Sequence, residues 1–393
     1  MCKPDKSKKK IVENLGYSLE EHYVATEDGY IITLRRLLNS RNVAQDQKPA
    51  LYVHGLVESS SDWIITGQNI SMGHFRQYDY GSDKNLEFYG SSKPPEYPTY
   101  NVAIPVAIFQ CLNDFLVTNQ KSIVEDYGYS FEEYYVTTDD GYIITVHRLF
   151  DSRVKSQSQK PVALCVHGIM GSSVDWFLSG QNVSMAFLLA DSGYDVWLFN
   201  ARGVINSKKH VKYLTSSYKF WDFSGHEIGF YDLPATIDYV LNTTKQPDLF
   251  YVGFSQGGGI LFIMGSLKPE YNKKIRMAAL LAPAVYLGHF RQFDYGKTKN
   301  LIVYKSQVPP EYPIHKTDIP IAIFQGLNDI IITSPDIDLL VQKIPNVVYR
   351  EMITEKKLNH MDLIYVSDMR DLAYSKILNL FETYRKNETL NLN

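Results

Sequence analysis

From residue 123 onward, the chain alternates short, mainly apolar segments with segments whose apolar positions recur at helical spacing. Apolar runs of this length are typical of strands that are buried on both faces of a parallel sheet. The predicted strands cover residues 162–166, 195–199, 249–253, 278–281, 319–324 and 347–352. The predicted helices cover residues 184–191, 231–241, 257–267, 335–342 and 373–385. This alternation predicts an α/β fold with a mostly parallel central sheet and helices on both faces.

A predicted hairpin precedes this series, and its sequence is present twice in the chain. Residues 132–149 alternate apolar and polar positions around an Asp-Gly turn at Asp140 and Gly141, which is typical of two paired strands. Residues 11–40 (IVENLGYSLEEHYVATEDGYIITLRRLLNS) closely copy residues 123–152 (IVEDYGYSFEEYYVTTDDGYIITVHRLFDS). The chain therefore contains a long internal repeat.

The two copies differ in completeness, and this difference decides the predicted domain organisation. The first copy has no counterpart of residues 186–287, and beyond its hairpin at 21–37 it keeps only two predicted strands, at 50–53 and 104–109. Parallel strands need crossover connections of a dozen or more residues, so this fragment cannot close a sheet of the same design by itself. We expect a polar tail at residues 1–10, an incomplete, non-catalytic repeat at 11–122, one α/β domain at 123–385 and a tail at 386–393.

Composition and charge narrow the function classes. The chain has 393 residues, 45% of them hydrophobic and 21% charged, and a net charge of −3, which gives no reason to expect nucleic acid as a partner. Its three scattered cysteines, without a CxxC pair, predict neither a disulfide framework nor a zinc site. No apolar run approaches the length of a membrane span, and the basic start lacks the apolar stretch of a secretory signal. Triplets of the form Asn-x-Ser/Thr at Asn69, Asn182, Asn242 and Asn387 would be glycosylated only in a secreted chain.

The motif that predicts a catalytic residue is GFSQG at residues 253–257, centred on Ser255. A predicted strand runs directly into this motif, and a helical pattern begins within it. Such a tight strand-to-helix turn forces its central residue into a strained conformation and requires small neighbours two positions away, which Gly253 and Gly257 provide. The pattern predicts that Ser255 projects above the sheet as a nucleophile.

A serine hydroxyl needs a base to remove its proton and an acid to orient that base. In a strand-turn-helix arrangement of this kind, the acid and then the histidine follow the serine along the chain. Asp329 follows the predicted strand 319–324, and His360 follows the last predicted strand, so both lie at the sheet edge where the serine emerges. The alternatives are Asp336, Asp338 and Asp362 for the acid and His315 and His289 for the base.

Acyl transfer also requires donors for the oxyanion that develops on the substrate carbonyl, and two backbone N–H groups can serve. One is expected from Gln256, directly after the nucleophile, and the other from the loop after strand 162–166. In that loop we favour Ile169, because Gly168 allows a close approach. His167 precedes the acid in the chain and is interpreted as a structural loop histidine.

Several motifs of the second copy, taken together, resemble the acid lipase family, which includes gastric, lysosomal and many insect lipases. The motifs are GYSFEEYYVTTDDGYIITVHRL, VHGIMGSSVDW, MAFLLADSGYDVWLFNARG, GFSQGG, ALLAPA, PPEYP, LNDIIITSPDIDLL and LNHMDLIY. The resemblance implies an α/β-hydrolase fold and cleavage of carboxylic esters of neutral lipids, without a metal or a cofactor. It also implies that Ser255, Asp329 and His360 are nucleophile, acid and base, with Gln256 and Ile169 at the oxyanion positions. The segment NARG at residues 200–203 matches a family loop that we interpret as structural.

The chain departs from the family pattern after the segment ALLAPA. Family members insert a cap with a lid there, whereas residues 285–287 here run almost directly into GHFRQFDYG, so we expect a reduced cap. An open site would favour short or soluble esters and would leave apolar surface available for contact with a lipid interface.

Other departures concern the start of the chain and the first copy. Most family members are secreted or lysosomal, although this chain begins without a predicted signal peptide. The first copy has no serine motif and no counterpart of His360, and its Asp114, which matches Asp329, has no partners. We expect this copy to be catalytically silent. The competing hypothesis for the whole chain is a catalytically inactive lipase-like protein, or a fused gene product that lacks a functional cap.

Overall fold

The computed structural model describes residues 17–25, 31–39, 120–151, 160–285, 290–355 and 358–386. The chain divides into two compact units, Met1–Leu112 and Asn113–Asn393. The described residues of the first unit form one antiparallel hairpin, with strands β1 (Tyr17–Ala25) and β2 (Ile31–Asn39). This is the hairpin that the alternating pattern predicted. The predicted strands at 50–53 and 104–109 lie outside the described residues.

In the part of the second unit that the structure describes, nine strands form a mixed sheet. The strands are β3 (Tyr129–Thr137), β4 (Tyr142–Asp151), β5 (Val162–Val166), β6 (Asp195–Phe199), β7 (Lys209–His210), β8 (Leu249–Phe254), β9 (Ile275–Leu281), β10 (Ile321–Gly326) and β11 (Val347–Ile353). Their order across the sheet is β11-β10-β9-β8-β5-β6-β4-β3, and β7 pairs with β4. The six strands from β11 to β6 are parallel, whereas β3, β4 and β7 pair in antiparallel fashion. All of the predicted strands of this unit are confirmed.

Helices connect the parallel strands, and the predicted ones are confirmed. The helices are α1 (Gln120–Asp126), α2 (Met185–Asp191), α3 (Gly225–Glu227), α4 (Leu233–Thr244), α5 (Gln256–Leu267), α6 (Lys297–Tyr304), α7 (Ser334–Lys343), α8 (Asp362–Tyr365) and α9 (Ser375–Arg385). The helices α1, α3, α6 and α8 were not predicted; α3 and α8 have three and four residues, too few to show a helical period. Among the described residues, no helix has the length and hydropathy needed to span a bilayer.

The core lies on both faces of the sheet. Every residue of β5, β6, β8 and β10 is buried, which requires cover on both faces, since successive side chains of a strand point to opposite sides. The helix α5 is buried from Gly257 to Ser266 and packs against β8 and β9. Burying apolar area of this extent is the main contribution to the stability of the unit.

The parallel strands bring their carboxyl ends to one edge of the sheet. The loops that follow β5, β8, β10 and β11 meet there. These loops carry the residues that the sequence predicted to take part in catalysis. Between β9 and β10, the described residues 282–285 and 290–320 include α6, a bridge between Arg291 and Glu311 and the 3-10 helix Ile314–Lys316. This short connection stands where a reduced cap was expected.

Candidate active site

Ser255 occupies the sharp turn between β8 and α5. Its backbone has φ 50° and ψ −113°, in the region that L-residues rarely adopt. The flanking glycines are sterically required: a Cβ added to Gly257 would lie 2.3 Å from the carbonyl oxygen of Val166, and one added to Gly253 would lie 2.7 Å from the ring of Tyr251. The predicted strained turn is therefore confirmed.

Hydrogen bonds from several segments hold this strained turn in place. The N–H of Ser255 donates to the carbonyl oxygen of Leu281 at 2.9 Å, and its carbonyl accepts from the N–H groups of Gly258 and Ala284 at 3.0 and 2.8 Å. The Tyr251 hydroxyl donates to the carbonyl oxygen of Gly257 at 2.6 Å. A residue in an unfavourable conformation persists only when its surroundings fix it, and these bonds do so.

Three side chains from distant parts of the chain meet above this turn. His360 Nε2 lies 2.9 Å from Ser255 Oγ, and His360 Nδ1 lies 2.7 Å from Asp329 Oδ2. All three residues are buried, with exposed fractions of 4%, 6% and 5% for Ser255, Asp329 and His360. The structure thus brings together the three residues that the sequence selected.

Backbone contacts fix the orientation of the Asp329 carboxylate. Its Oδ1 accepts hydrogen bonds from the N–H groups of Ile331 and Ile332 at 2.8 and 2.9 Å, which leaves Oδ2 directed to His360. The Phe254 ring packs against the imidazole with ring centroids 4.9 Å apart. The imidazole is thereby held between a carboxylate and the serine hydroxyl, the arrangement that proton abstraction from serine needs.

The three alternative acids contact groups other than His360. Asp336 accepts from the N–H and the hydroxyl of Thr333, at the start of α7. Asp338 pairs with Arg350 at 2.6 Å, and Asp362 accepts from the N–H of Asn359 at 2.8 Å. His315 lies in the 3-10 helix Ile314–Lys316, and His289 lies outside the described residues.

His167 behaves as the structural loop histidine that the sequence predicted. Its Nδ1 donates to the carbonyl oxygen of Gly168 at 2.7 Å, and its Nε2 accepts from the N–H of Ala201 at 3.1 Å. Burial lowers the pKa of this imidazole to about 4, against a smaller opposing effect of the bond to Gly168. The ring is neutral near pH 7 and holds the loop after β5 to the loop after β6.

The two predicted oxyanion residues lie on either side of the turn. Gln256 is the first residue of α5, where backbone N–H groups have no acceptor within the helix. Ile169 lies in the loop after β5, and this loop packs closely on the turn: a Cβ added to Gly168 would lie 3.2 Å from Ser255 Cβ. Met170, next in the loop, has φ 62°. The loop is anchored further by the N–H of Ser173, which donates to Asn200 Oδ1 at 3.0 Å.

Exposed apolar side chains surround this edge of the sheet. Ile169 and Met170 from the loop after β5 are 68% and 83% exposed, and Leu327 and Ile330 from the loop after β10 are 51% and 85% exposed. The loops that carry Ile169 and Asp329 therefore both expose apolar side chains to solvent.

Two residues near the site were missed at the sequence level, Asp175 and Tyr365. The Tyr365 hydroxyl donates to Asp175 Oδ1 at 3.0 Å, although 190 positions separate them. One signal was available: Ser172 and Asp175 have the spacing of a capping box, and the structure contains both of its hydrogen bonds. The partner of Asp175, Tyr365, has no sequence pattern that predicts the contact.

The fold and sequence comparisons define the class of this protein. A profile described as the partial alpha/beta-hydrolase lipase region matches residues 9–67 and again residues 120–180, and the alpha/beta hydrolase fold profile matches residues 161–299. These matches and the mixed, mostly parallel sheet make the second unit an α/β-hydrolase.

Curated relatives narrow the class to a family. The chain is 31% identical to Lipase 1 of Drosophila melanogaster over 347 residues, covering 65% of this chain and 78% of that protein. It is 29% identical to the gastric triacylglycerol lipase of Mus musculus, covering 67% and 91%. It is also 29% identical to the lysosomal acid lipase/cholesteryl ester hydrolase of Macaca fascicularis, covering 68% and 91%. The chain belongs to the acid lipase family, as its motifs predicted.

Proposed function

We propose that this protein is a serine carboxylic-ester hydrolase that acts on neutral lipid or other acyl esters. The observation that supports this most is the continuous hydrogen-bonded series from Asp329 through His360 to Ser255, with distances of 2.7 and 2.9 Å. The names of the relatives, which include triacylglycerol lipases and a cholesteryl ester hydrolase, support lipid esters as substrates.

The proposed reaction begins with proton transfer from the Ser255 hydroxyl to His360 Nε2 as Oγ attacks the ester carbonyl. Asp329 stabilises the imidazolium that forms, because its carboxylate is fixed by two backbone N–H groups and directed to Nδ1. The N–H groups of Gln256 and Ile169 hold the negative oxygen of the tetrahedral intermediate.

The intermediate collapses when His360 gives its proton to the leaving alcohol, and an acyl-enzyme ester on Ser255 remains. Water then attacks this ester, His360 accepts a proton from the water, and the second tetrahedral intermediate releases the fatty acid. The proton returns to Ser255 Oγ, so the enzyme is regenerated without net change. The apolar side chains of Ile169, Met170 and Ile330 offer contact surface for an acyl chain.

Covalent labelling tests the nucleophile. A fluorophosphonate probe is expected to label the wild type at Ser255 and to leave Ser255→Ala and His360→Ala unlabelled. Hydrolysis of p-nitrophenyl butyrate should fall in both variants by about six orders of magnitude, as expected when the nucleophile or the base of a catalytic triad is removed. A folded wild type that is neither labelled nor active would favour the inactive lipase-like protein instead.

Comparison of acyl-chain lengths tests the effect of the short connection between β9 and β10. We expect p-nitrophenyl esters of short acids to be hydrolysed faster than those of long acids, because a site without a full cap provides less apolar wall for the chain. Faster hydrolysis of long-chain esters would contradict the open-site interpretation and leave the serine mechanism intact.

A further inference from the structure

Two segments that follow proposed catalytic groups contact each other through side-chain hydrogen bonds. The 3-10 helix Ser173–Trp176 directly follows the loop of Ile169, and α8 directly follows His360. Tyr365, the last residue of α8, donates its hydroxyl proton to Asp175 Oδ1 at 3.0 Å. The contact joins the oxyanion side of the site to the base side without passing through Ser255.

The Asp175 carboxylate is also bonded to the oxyanion loop. Its Oδ2 accepts from the N–H of Ser172 at 3.2 Å, and a Cβ added to Gly171 would lie only 2.1 Å from this oxygen. Gly171 in turn donates its N–H to the carbonyl oxygen of Gly168 at 3.2 Å, which closes the turn that contains Ile169. One carboxylate oxygen therefore fixes the shape of the loop, and the other is held by Tyr365.

The segment around Tyr365 is bonded closely to His360. The N–H of Tyr365 donates to the carbonyl oxygen of Met361 at 3.3 Å, and Met361 is the residue after the histidine. Ser179, which follows the 3-10 helix of Asp175, adds a second contact between the two segments, since its hydroxyl lies 3.3 Å from the carbonyl oxygen of Tyr365. A displacement of α8 would thus be transmitted both to the imidazole and to the loop of Ile169.

We propose that Asp175 and Tyr365 are positioning residues that set the distance between the oxyanion loop and the base. This inference rests on the proposed function of the same site. The pair touches no reacting atom. It acts by fixing the positions of Ile169 and His360 relative to Ser255. Errors of an ångström in such geometry reduce turnover by up to about 100-fold while leaving substrate binding nearly unchanged.

The first test uses steady-state kinetics at pH 8, where the Asp175 carboxyl is ionised. Tyr365→Phe and Asp175→Ala are each expected to lower kcat by about 10-fold or more and to change KM by less than about 2-fold. Asp175→Asn should stay within about 3-fold of the wild type, because its amide oxygen can accept from the N–H of Ser172 while its amide NH2 donates to the hydroxyl oxygen of Tyr365. The double variant Tyr365→Phe with Asp175→Ala should lose no more than the worse single variant, because both remove the same bond.

Tyr271→Phe is the matched control. The Tyr271 hydroxyl donates to Asp238 Oδ2 at 2.7 Å, the same chemistry at a site that joins the 3-10 helix Pro269–Lys274 to α4. Its kcat should equal that of the wild type. The proposal is overturned if Tyr365→Phe loses no more activity than this control, or if the losses of the two single variants add in the double variant.

A second measurement does not depend on turnover. In amide hydrogen exchange, Tyr365→Phe should speed exchange in residues 168–176, and Asp175→Ala should speed it in residues 358–366, while α4 stays unchanged. If wild type is unlabelled by the fluorophosphonate, the proposed function fails, and the positioning role fails with it even where exchange shows coupling. If the wild type is instead labelled while a substitution in either loop leaves amide exchange in the other loop unchanged, only the positioning proposal is wrong.

Discussion

Arg202 and Asp232 form a buried ion pair in which Arg202 Nε and Nη2 lie 2.9 and 2.6 Å from Asp232 Oδ1. The backbone N–H of Arg202 donates to the other carboxylate oxygen at 3.0 Å. The same guanidinium binds Asp140 in the hairpin turn through two further bonds of 2.6 and 2.8 Å, and it lies 3.9 Å from the ring centre of Tyr142. One side chain thereby joins the β3–β4 hairpin, the loop after β6 and the segment before α4, a structural role that agrees with our interpretation of this loop.

Replacing Arg202 should destabilise the fold severely. Arg202→Met would leave Asp232, which is fully buried, without its cation, and breaking a buried pair from one side costs about 3–5 kcal/mol. The free energy of unfolding from urea titration measures this loss. Arg276→Met is the matched control, because Arg276 forms a similar ion pair with Asp248 through two hydrogen bonds, but this pair is partly exposed. The control variant should lose no more than about 1 kcal/mol of unfolding free energy. Equal losses in the two variants would contradict this assignment.

Gly257→Ala should destroy the site through a single methyl group. The added carbon would lie 2.3 Å from the carbonyl oxygen of Val166, a backbone atom of the central sheet that cannot move aside cheaply. We expect a loss of roughly 3 kcal/mol or more in unfolding free energy and no fluorophosphonate labelling. Gly225→Ala is the control, since the nearest atom, at 3.9 Å, is in ordinary contact. A Gly257→Ala variant that unfolds and reacts like wild type would show that the turn is more adaptable than its packing indicates.

His167 should remain neutral in mildly acidic solution. Its pKa is lowered from 6.5 to about 4 by burial, so folding disfavours the protonated form. The stabilisation from the neutral ring is complete above pH 6.5 and is lost as the pH falls towards 4, by roughly 1.4 kcal/mol for each unit of pKa difference. Nitrogen-detected NMR at pH 5 should show a neutral imidazole with its proton on Nδ1. Titration of His167 near pH 6.5 would contradict this.

Asp175→Asn should change stability in a way that depends on pH. Burial raises the pKa of this carboxyl from 3.8 to about 6, and the hydrogen bonds from Tyr365 and Ser172 offset only part of that effect. A raised folded-state pKa means that the fold is stabilised by the protonated form below pH 4 and loses that contribution as the pH rises through 6. A neutral amide avoids this loss, so we expect a gain of about 1 kcal/mol at pH 8 and no gain at pH 4. The test compares the unfolding free energies of Asp175→Asn and the wild type at pH 4 and at pH 8. An equal difference at the two pH values would refute the explanation.

The parts of the structure that the sequence predicted are those with local signals. The buried strands, the hairpins and the turn at Ser255 follow from apolar runs, an Asp-Gly pair and the glycines around a serine. Asp329 and His360 were selected by chain order and loop position, and their contacts with each other and with the serine are present. Their catalytic roles, and those of Gln256 and Ile169, stay predictions.

What the sequence did not predict depends on contacts between distant segments or on very short elements. The bond between Tyr365 and Asp175 joins positions that share no pattern, so only the folded chain reveals it. The helix α6 has consecutive apolar residues, Leu301, Ile302 and Val303, which point to several sides of a helix and give no amphipathic period. The two-residue strand β7 is likewise defined by its partner β4 rather than by its own residues.

The positive φ at position 255 lowers the stability of the fold, because serine has a side chain there. Glycine adopts φ 50° without the penalty of roughly 1 kcal/mol or more that a residue with a side chain carries there. A laboratory selection that rewarded only survival at high temperature would therefore favour glycine at this position, and the selected variants would lack the hydroxyl that contacts His360.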